Sequence, residues 1–354
     1  MKDKPVKEFI TPISGKKVLI GAGTPEEQLI FALESSCDET ACAIVKNGRE
    51  VIANTVSTQI KTHELYGGVV PEVAAREHLN SIVPVIEKTF SDAKISPQEI
   101  TAFAATVGPG LIGSLLVGLN AAKTLAITWD KPFIGINHLN SHVCANYIDS
   151  TLEPPFIALL VSGGHTQIIK VDNYTKQTII GETIDDSAGE AYDKVARLLG
   201  LPYPGGATLD KLAPQGNKKA FVFPDAKVGQ YEFSFSGLKT AVLRTVQNIK
   251  SENKELPIAD IAASFQERIT KTLFKKTYNA LQEFGYKKVV LAGGVAANSE
   301  IRKKFFELEK EGYEVHAPAM KYCTDNAAMI GAAAYYLCNT FDSLDVEVFS
   351  RVAK

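Results

Sequence analysis

Apolar positions along this chain fall into short continuous runs punctuated by small polar turns. Leu29 to Leu33 and Ala41 to Val45 flank the polar stretch Glu34-Ser35-Ser36-Cys37-Asp38-Glu39-Thr40. Two such runs around a turn predict a β-hairpin whose tip carries the polar residues. About 125 residues later the pattern returns, with Phe156 to Val161 and Gln167 to Val171 flanking Ser162-Gly163-Gly164-His165-Thr166. The repetition predicts a duplicated domain start, each half opening on a strand–turn–strand whose loop can hold phosphate. The first half continues with a helix from about Pro71 to Phe90, a strand near Ala102 to Val107, a helix after Gly110 and a strand at Phe133 to Ile136. The second continues with helices near Ser187 to Leu199, Gly237 to Lys250 and Ile258 to Phe284, then a strand at Lys287 to Leu291. Strands alternating with helices imply an α/β architecture with a partly parallel sheet in each half. Residues 1–28 are read as an extension, 29–152 as the first half, 153–345 as the second and 346–354 as a tail. A hinge is expected near residues 150–156, with the ligand cleft between the halves.

Composition agrees with this division. At 354 residues, 45% hydrophobic and 22% charged, the chain is long enough for two separate cores. The uncharged stretch Thr101 to Ala122 is broken by Gly108-Pro109-Gly110 and closed by Lys123, so it reads as a buried strand, turn and helix and not as a membrane span. Residues before about Gln28 look irregular and carry five lysines against four acids, with no arginine; an organellar leader is the alternative to a plain extension. The five cysteines are scattered, odd in number and form no Cys-x-x-Cys pair. They indicate neither a disulfide framework nor a cysteine zinc site, and fit a reducing, cytoplasmic compartment. The net charge of −2 argues against nucleic-acid binding through global charge alone. Between residues 201 and 310, however, 18 Lys and Arg stand against 11 Asp and Glu, an asymmetry that suits a basic face for phosphates or a solvated helix surface.

His138 and His142 follow a predicted strand at a spacing of four, which puts two imidazoles on one helical face where they can share a metal. Leu139 stands where a zinc protease carries its glutamate base, which disfavours a peptidase. Glycine turns follow strands at Gly108-Pro109-Gly110, Ser162-Gly163-Gly164 and Ala292-Gly293-Gly294, where exposed backbone N–H groups can hold phosphate. None matches a P-loop or a dinucleotide fingerprint. Thr324 or Asp325 reads, from the residues alone, as the cap of the small-residue helix that runs to Leu337. Asp38 and Glu39 at the first tip, and Asp185, Asp186, Glu190 and Asp193 in the second half, are further acids in apolar surroundings. Capping of the Ser187 helix accounts for Asp185 or Asp186 but not for Asp193.

Taken together, these segments resemble the TsaD family, also called Gcp or YgjD, of the actin-like, sugar-kinase and Hsp70 superfamily. The resemblance runs over about residues 30–338 and rests on Glu34 to Thr40, His63 to Arg76, Gly108-Pro109-Gly110-Leu111, Val161 to Thr166, Phe233 to Thr240, Ala292-Gly293-Gly294-Val295 with Asn298, and Cys323 to Asn326. The wording Val-Ser-Gly-Gly-His-Thr and Ser-Phe-Ser-Gly-Leu-Lys is similar to the bacterial and organellar branch. The resemblance implies two ribonuclease-H-like halves with a ligand cleft between them. It also implies one iron or zinc ion on His138, His142 and Asp325, contributed from both halves, which replaces the capping role for Asp325. Leu160, Val161, Ser162, Gly163, Gly164, Asp193, Gly206, Asp210 and Asn298 are then expected to line the substrate pocket. Many bacterial relatives read His-His-x-x-Gly-His, whereas Asn137 and Ser141 stand beside the ligands here; the change touches the surroundings of the ligands and leaves the ligands in place.

The implied reaction moves a threonylcarbamoyl group from threonylcarbamoyl-adenylate to the exocyclic amine of adenosine 37 in tRNAs reading codons that begin with A. Asp38 is the candidate base for the amine proton. The implied partners are a TsaB-like paralogue and a TsaE-like ATPase, with no membrane involved; the helices around Glu72 to Phe90 and Ser114 to Ile127 are candidate docking faces. A small-molecule kinase or ATPase of the same superfamily is the nearest alternative, but such enzymes hold magnesium on acids and not on two histidines. Two histidines and one carboxylate also match a non-haem iron oxygenase, whose usual all-β scaffold the alternating helices contradict. A non-catalytic nucleotide-binding scaffold is a third alternative, disfavoured by the presence of all three ligands.

Overall fold

The computed structural model describes residues 4–202 and 204–351. The first three residues of the extension and the last three of the tail lie outside the described residues. The chain divides into two compact units, the first formed by residues 1–154, 172–177 and 324–354, the second by residues 155–171 and 178–323.

In the first unit β1 (Lys7–Ile10) and β2 (Lys17–Ile20) form an antiparallel pair. There follow β3 (Leu29–Glu34), β4 (Glu39–Lys46), β5 (Glu50–Thr58), α1 (Ile60–Glu64), α2 (Pro71–Ala93), β6 (Ala102–Gly108), α3 (Ile112–Thr128), β7 (Phe133–Asn137) and α4 (His138–Cys144). In the second unit come β8 (Phe156–Val161), β9 (Thr166–Asn173), β10 (Lys176–Glu182), α5 (Ala188–Leu198), α6 (Gly205–Leu212), α7 (Ser236–Ser251), α8 (Ile258–Phe284), β11 (Lys288–Ala292), α9 (Ser299–Phe306) and β12 (Glu314–His316), with β9 and β10 dipping through the first unit at residues 172–177. The chain then returns to the first unit as α10 (Ala327–Tyr336) and β13 (Thr340–Phe341).

The first sheet runs β13-β7-β6-β3-β4-β5, with β3, β6 and β7 parallel and β4, β5 and β13 antiparallel to their neighbours. The second runs β10-β9-β8-β11-β12, with β8, β11 and β12 parallel and β9 antiparallel to β8. Both are the mixed α/β sheets expected, and both predicted hairpins form. The central strand β3 is buried at five of its six positions, which is why Leu29 to Leu33 reads as a continuous apolar run. Helix α2 starts on Pro71, whose fixed φ suits a first turn, and α8 ends on Gly285 in the left-handed region at φ 68°. Helix α10 lies close against β3 and β4: a Cβ on Gly331 would stand 2.6 Å from Val45 Cγ2. Its run Ala-Ala-Met-Ile-Gly-Ala-Ala-Ala is the surface that such an approach needs, and it is what draws residue 324 onward into the first unit.

Residues before Gln28 are not irregular as expected. Four-residue strands that alternate with lysines carry too little apolar pattern to be recognised, yet β1 and β2 pair from Lys7–Ile20 to Ile10–Lys17. Their connecting turn is pinned by Asp130, which accepts the Ile13 N–H at 2.9 Å and the Ser14 N–H at 3.1 Å. Among the described residues no helix is long and apolar enough to cross a membrane.

The Ser14 hydroxyl and the Ile13 and Ser14 N–H groups hold the Asp130 carboxyl down to about 2, from an ordinary 3.8. Because the folded value is depressed, this anchor is complete above the unfolded value and is lost as pH falls from about 4 through about 2. Hydrogen exchange should therefore show the amides of residues 7–20 losing protection in Asp130→Ala at neutral pH, and in the parent on acidification through that window, while β3 and β6 stay protected.

Candidate metal centre

The first hairpin tip is built into its unit by three sets of contacts. Ser35 Oγ donates to Ser114 O at 2.8 Å and accepts the Gly118 N–H at 3.2 Å. The Leu111 N–H donates to Ser36 O at 2.8 Å, and a Cβ on Gly110 would come within 2.6 Å of that oxygen. The turn at Gly108-Pro109-Gly110 therefore packs against the tip, and its Leu111 amide is already engaged there. On the other side buried His78 bridges Thr40 Oγ1 at 2.7 Å and Cys37 O at 3.0 Å, and burial lowers its pKa toward the neutral ring.

Beside this tip, Asn137 ends β7 and caps α4, its side chain accepting the Leu139 and Asn140 N–H groups. The cap fixes the first turn of α4 and so places His138 and His142 on one face. Ser141 donates to His138 O at 2.6 Å. The two residues that depart from the family wording are thus both hydrogen-bonded into the helix that carries the ligands. Asn326, not Thr324 or Asp325, caps α10 by accepting the Met329 N–H, which leaves the Asp325 carboxylate to turn elsewhere.

It turns to the histidines. His142 Nε2 lies 3.2 Å from His138 Nε2, and Asp325 Oδ1 lies 3.2 Å from His142 Nε2 and 3.6 Å from His138 Nε2. Metal–ligand bonds of ~2.0–2.1 Å in a tetrahedral shell put neighbouring ligand atoms about 3.4 Å apart. The observed triangle therefore has the dimensions of three corners around one ion, and an imidazole–imidazole–carboxylate set suits zinc or iron. Asp325 belongs to the first unit with both histidines, a difference from the expectation that the second half, 153–345, supplies it.

Charge is concentrated around the triangle. Burial disfavours a charged His138, but the carboxylates of Glu34 and Asp325 push it up to about 9. Burial would raise Asp325, yet His138 and His142 hold it down to about 2. At the tip, burial and the nearby Asp325 and Asp38 charges push Glu39 up to about 10, so it is protonated near neutrality. The Cys37 thiol is pushed far up by burial and by Asp38, which favours the protonated thiol. Asp38 itself is buried at the tip, its backbone oxygen accepting the Gln59 N–H at 3.0 Å.

The residues expected to hold substrate lie in the second unit. Leu160 and Val161 are buried in β8, with their side chains in the core, whereas Gly163 and Gly164 are exposed and a Cβ on either would meet nothing within 4 Å. Ser162 closes that turn by accepting the His165 N–H at 3.1 Å. Asp193 accepts the Gly205 and Gly206 N–H groups at the start of α6 at 3.0 and 3.2 Å. Asp210 accepts from Ser299 and from Gln266, and Asn298 caps α9 through Oδ1 while its Nδ2 donates to Gln266 at 3.0 Å. Asp210, Asn298, Ser299 and Gln266 thus share one network, and a cavity of about 350 Å³ opens beside Gln266, Ser299, Lys218 and Lys303. Ser187 caps α5 itself; Asp185 instead accepts the Phe235 and Ser236 N–H groups, and Asp186 pairs with Lys194 and Lys239.

Sequence reasoning missed Glu34 and His78. Glu34 reads as the first polar letter after an apolar strand, and only its total burial shows that it needs partners.

Residues 50–332 match the profile of the family TsaD: tRNA N6-adenosine threonylcarbamoyltransferase. Proteins named tRNA N6-adenosine threonylcarbamoyltransferase from Clostridioides difficile strain 630 and Nostoc punctiforme are 50% and 51% identical over 312 and 335 residues, covering 87% and 92% of this chain and 92% and 96% of theirs. Among solved structures, HypF of T. kodakarensis superposes with a TM-score of 0.62 at 16% identity, over 95% of this chain and 52% of its own. A full-length HypF in its phosphate- and nucleotide-bound form gives 0.60 at 16% identity, over 94% and 50%. The chain spans about half the length of these HypF structures, and at such identity they show a shared fold alone. With a profile matched over most of its length and relatives half identical across nearly all of it, the chain belongs to the TsaD family.

Proposed function

We propose that this protein transfers the threonylcarbamoyl group of threonylcarbamoyl-adenylate to the exocyclic amine of adenosine 37 in tRNAs that read codons beginning with A, using one iron or zinc ion held by His138, His142 and Asp325. The observation that carries the metal assignment is the triangle of two imidazole nitrogens and one carboxylate oxygen in a chain of this family. When bound, the ion supplies Lewis-acid polarisation of the carbamoyl carbonyl and a fixed point for the donor. The chain's own residues do the rest. The exposed Gly163-Gly164 turn offers backbone N–H groups to the phosphate, and Asp193, Gly206, Asp210 and Asn298 hold the nucleoside part. Asp38 accepts the amine proton. Glu39, protonated near neutrality and accepting the Thr58 hydroxyl, is no competing base.

The main sheet of each unit holds an antiparallel strand pair with a parallel strand beside it, β3–β4 with β6 and β8–β9 with β11, which supports duplicated ribonuclease-H-like halves. A kinase or ATPase activity is not favoured, because the donor set carries two imidazoles where magnesium needs oxygen. The exposed Leu79, Val83, Ile112 and Leu116 on α2 and α3 support docking of a TsaB-like paralogue there; a TsaE-like ATPase and a cytoplasmic site of action complete the reading. Some lysines of the basic segment are already engaged by acids of the same segment, Lys218 by Glu267 and Glu300 and Lys304 by Glu307. Charge alone then captures tRNA weakly, and a partner is needed for firm binding.

Activity is tested by reconstitution with the adenylate and an anticodon stem-loop, with and without the paralogue and the small ATPase, followed by nucleoside analysis; no modified adenosine in any combination refutes the reading. His138→Ala and His142→Ala should each lower metal affinity by more than the ~10–100-fold typical of losing an outer hydrogen-bond partner, with the fold retained by circular dichroism. Elemental analysis showing full metal in both would remove the site. Because the ion must displace a proton from His138, its apparent affinity should rise about tenfold per pH unit up to about 9. A flat profile between pH 6 and 8 in chelator competition contradicts this. Finally, Asp193→Asn and Asn298→Ala should weaken a non-hydrolysable adenylate analogue by about 1–3 kcal/mol each while sparing metal content, read by calorimetry.

A further inference from the structure

Glu34, the last residue of β3, is completely buried, and each of its oxygens is engaged. Oε1 accepts the Ser36 N–H at 2.6 Å; Oε2 accepts the Thr106 hydroxyl at 2.6 Å and lies 3.0 Å from His138 Nδ1. Ser36 Oγ is a second neighbour of Nδ1, at 3.2 Å, but a hydroxyl can rotate to either role, whereas an ionised carboxylate only accepts. The proton on Nδ1 is therefore dictated by Glu34. The ring has two nitrogens: with Nδ1 holding its proton toward Glu34, Nε2 is the atom that faces His142 Nε2 and Asp325 Oδ1 and the one that gives up its proton when a metal binds.

We propose that Glu34 is a positioning residue of the metal centre, selecting through Nδ1 the form of His138 that can ligate through Nε2. Carboxylates commonly hold metal-bound imidazoles in this way, raising their basicity and fixing their plane. Here the carboxylate comes from the strand before the hairpin tip and the imidazole from the helix after β7, so the contact also ties the tip to α4. His142 has no equivalent device, for its buried Nδ1 has no hydrogen-bond partner among the described residues. The two ligands are thus unequal, and His138 is the one whose orientation is set in advance.

The inference rests on the metal reading above and makes a sharp prediction for Glu34→Gln. The Ser36 N–H can only donate, so the amide oxygen must face it. The amide NH2 then takes the place of Oε2, where it donates to Thr106 and to His138 Nδ1. Nδ1 becomes an acceptor and the neutral ring carries its proton on Nε2, facing the ligand triangle.

Full-length parent, Glu34→Gln and Thr106→Val are compared by zinc competition against a chelator and by long-range 15N–1H spectra of the imidazoles, with and without zinc. We expect Glu34→Gln to bind zinc about 10–100-fold more weakly, while Thr106→Val, which keeps the carboxylate and loses one of its donors, stays within a few-fold of the parent. We also expect a protonated, hydrogen-bonded Nδ1 on His138 in the parent in both states, and its loss in metal-free Glu34→Gln. Zinc binding by Glu34→Gln equal to the parent, equal weakening in both variants, or an unprotonated Nδ1 in the parent overturns the proposal, the last needing no variant that folds. Failure of the parent to bind zinc would refute the metal reading, and the metal-free spectra would still decide the role of Glu34.

Discussion

A carboxylate with no access to water has to find its partners inside the protein, and Glu34 is such a group. Isolated burial would neutralise it. The charge and hydrogen bond of His138 outweigh that burial, so its pKa is lowered, helped by the Thr106 hydroxyl. The Ser36 N–H forces the turn after β3, Thr106 ties the tip to the neighbouring parallel strand β6, and His138 ties it to α4. A buried charge of this kind is costly unless all its partners are present, so the tip, the strand and the histidine helix are mutually dependent. The same demand accounts for the closeness of Asp325: two carboxylates within reach of one imidazole keep that imidazole charged until something replaces its Nε2 proton. In chemical terms this is an arrangement waiting for a cation.

Helix capping does the local work of presentation. Asn137, Asn326, Ser187 and Asn298 each accept an N–H from the first turn of their helix, and three of the four sit beside or on a residue assigned to the site. A cap holds its helix start in one geometry and relieves its neighbour of that task. That is why Asp325, which reads as a cap by position, is available to His142 instead. The glycine turns divide differently. Gly110 is needed because Ser36 lies against it, Gly293 because Val161 O approaches it at a φ of 84°, while Gly163 and Gly164 face open space and keep their backbone available to a ligand.

The likeness to HypF structures at 16% identity marks a shared scaffold, and on such a scaffold chemistry is decided by the few side chains brought together. In this chain the candidate set is two imidazoles and a carboxylate, with Asp38 and Glu39 at the first hairpin tip. An oxygen-only magnesium site would require acids in place of both histidines. The two imidazoles of the candidate set are what would separate such a centre, physically, from an oxygen-only magnesium site.

Much of this was legible in the sequence because local rules suffice for it. The two hairpins, α2, α3, α8 and the parallel strands follow from apolar runs and turn residues, and the histidine pair from a spacing of four on a helix. Asn137 beside His138 is a local signal as well. Other features have no local signature. The short lysine-bearing strands of the extension are held partly by Asp130, more than 100 residues away, which binds their turn. Asp325 reaches the histidines only because the small faces of α10 let that helix settle on β3 and β4, within the first unit. Glu34 is one polar letter in a row of seven, and its role depends on being sealed from water among partners from the tip, β6 and α4. Periodicity and turn chemistry act between neighbours in the chain, whereas desolvation and the protonation it imposes depend on everything packed around an atom, and only the folded structure supplies that.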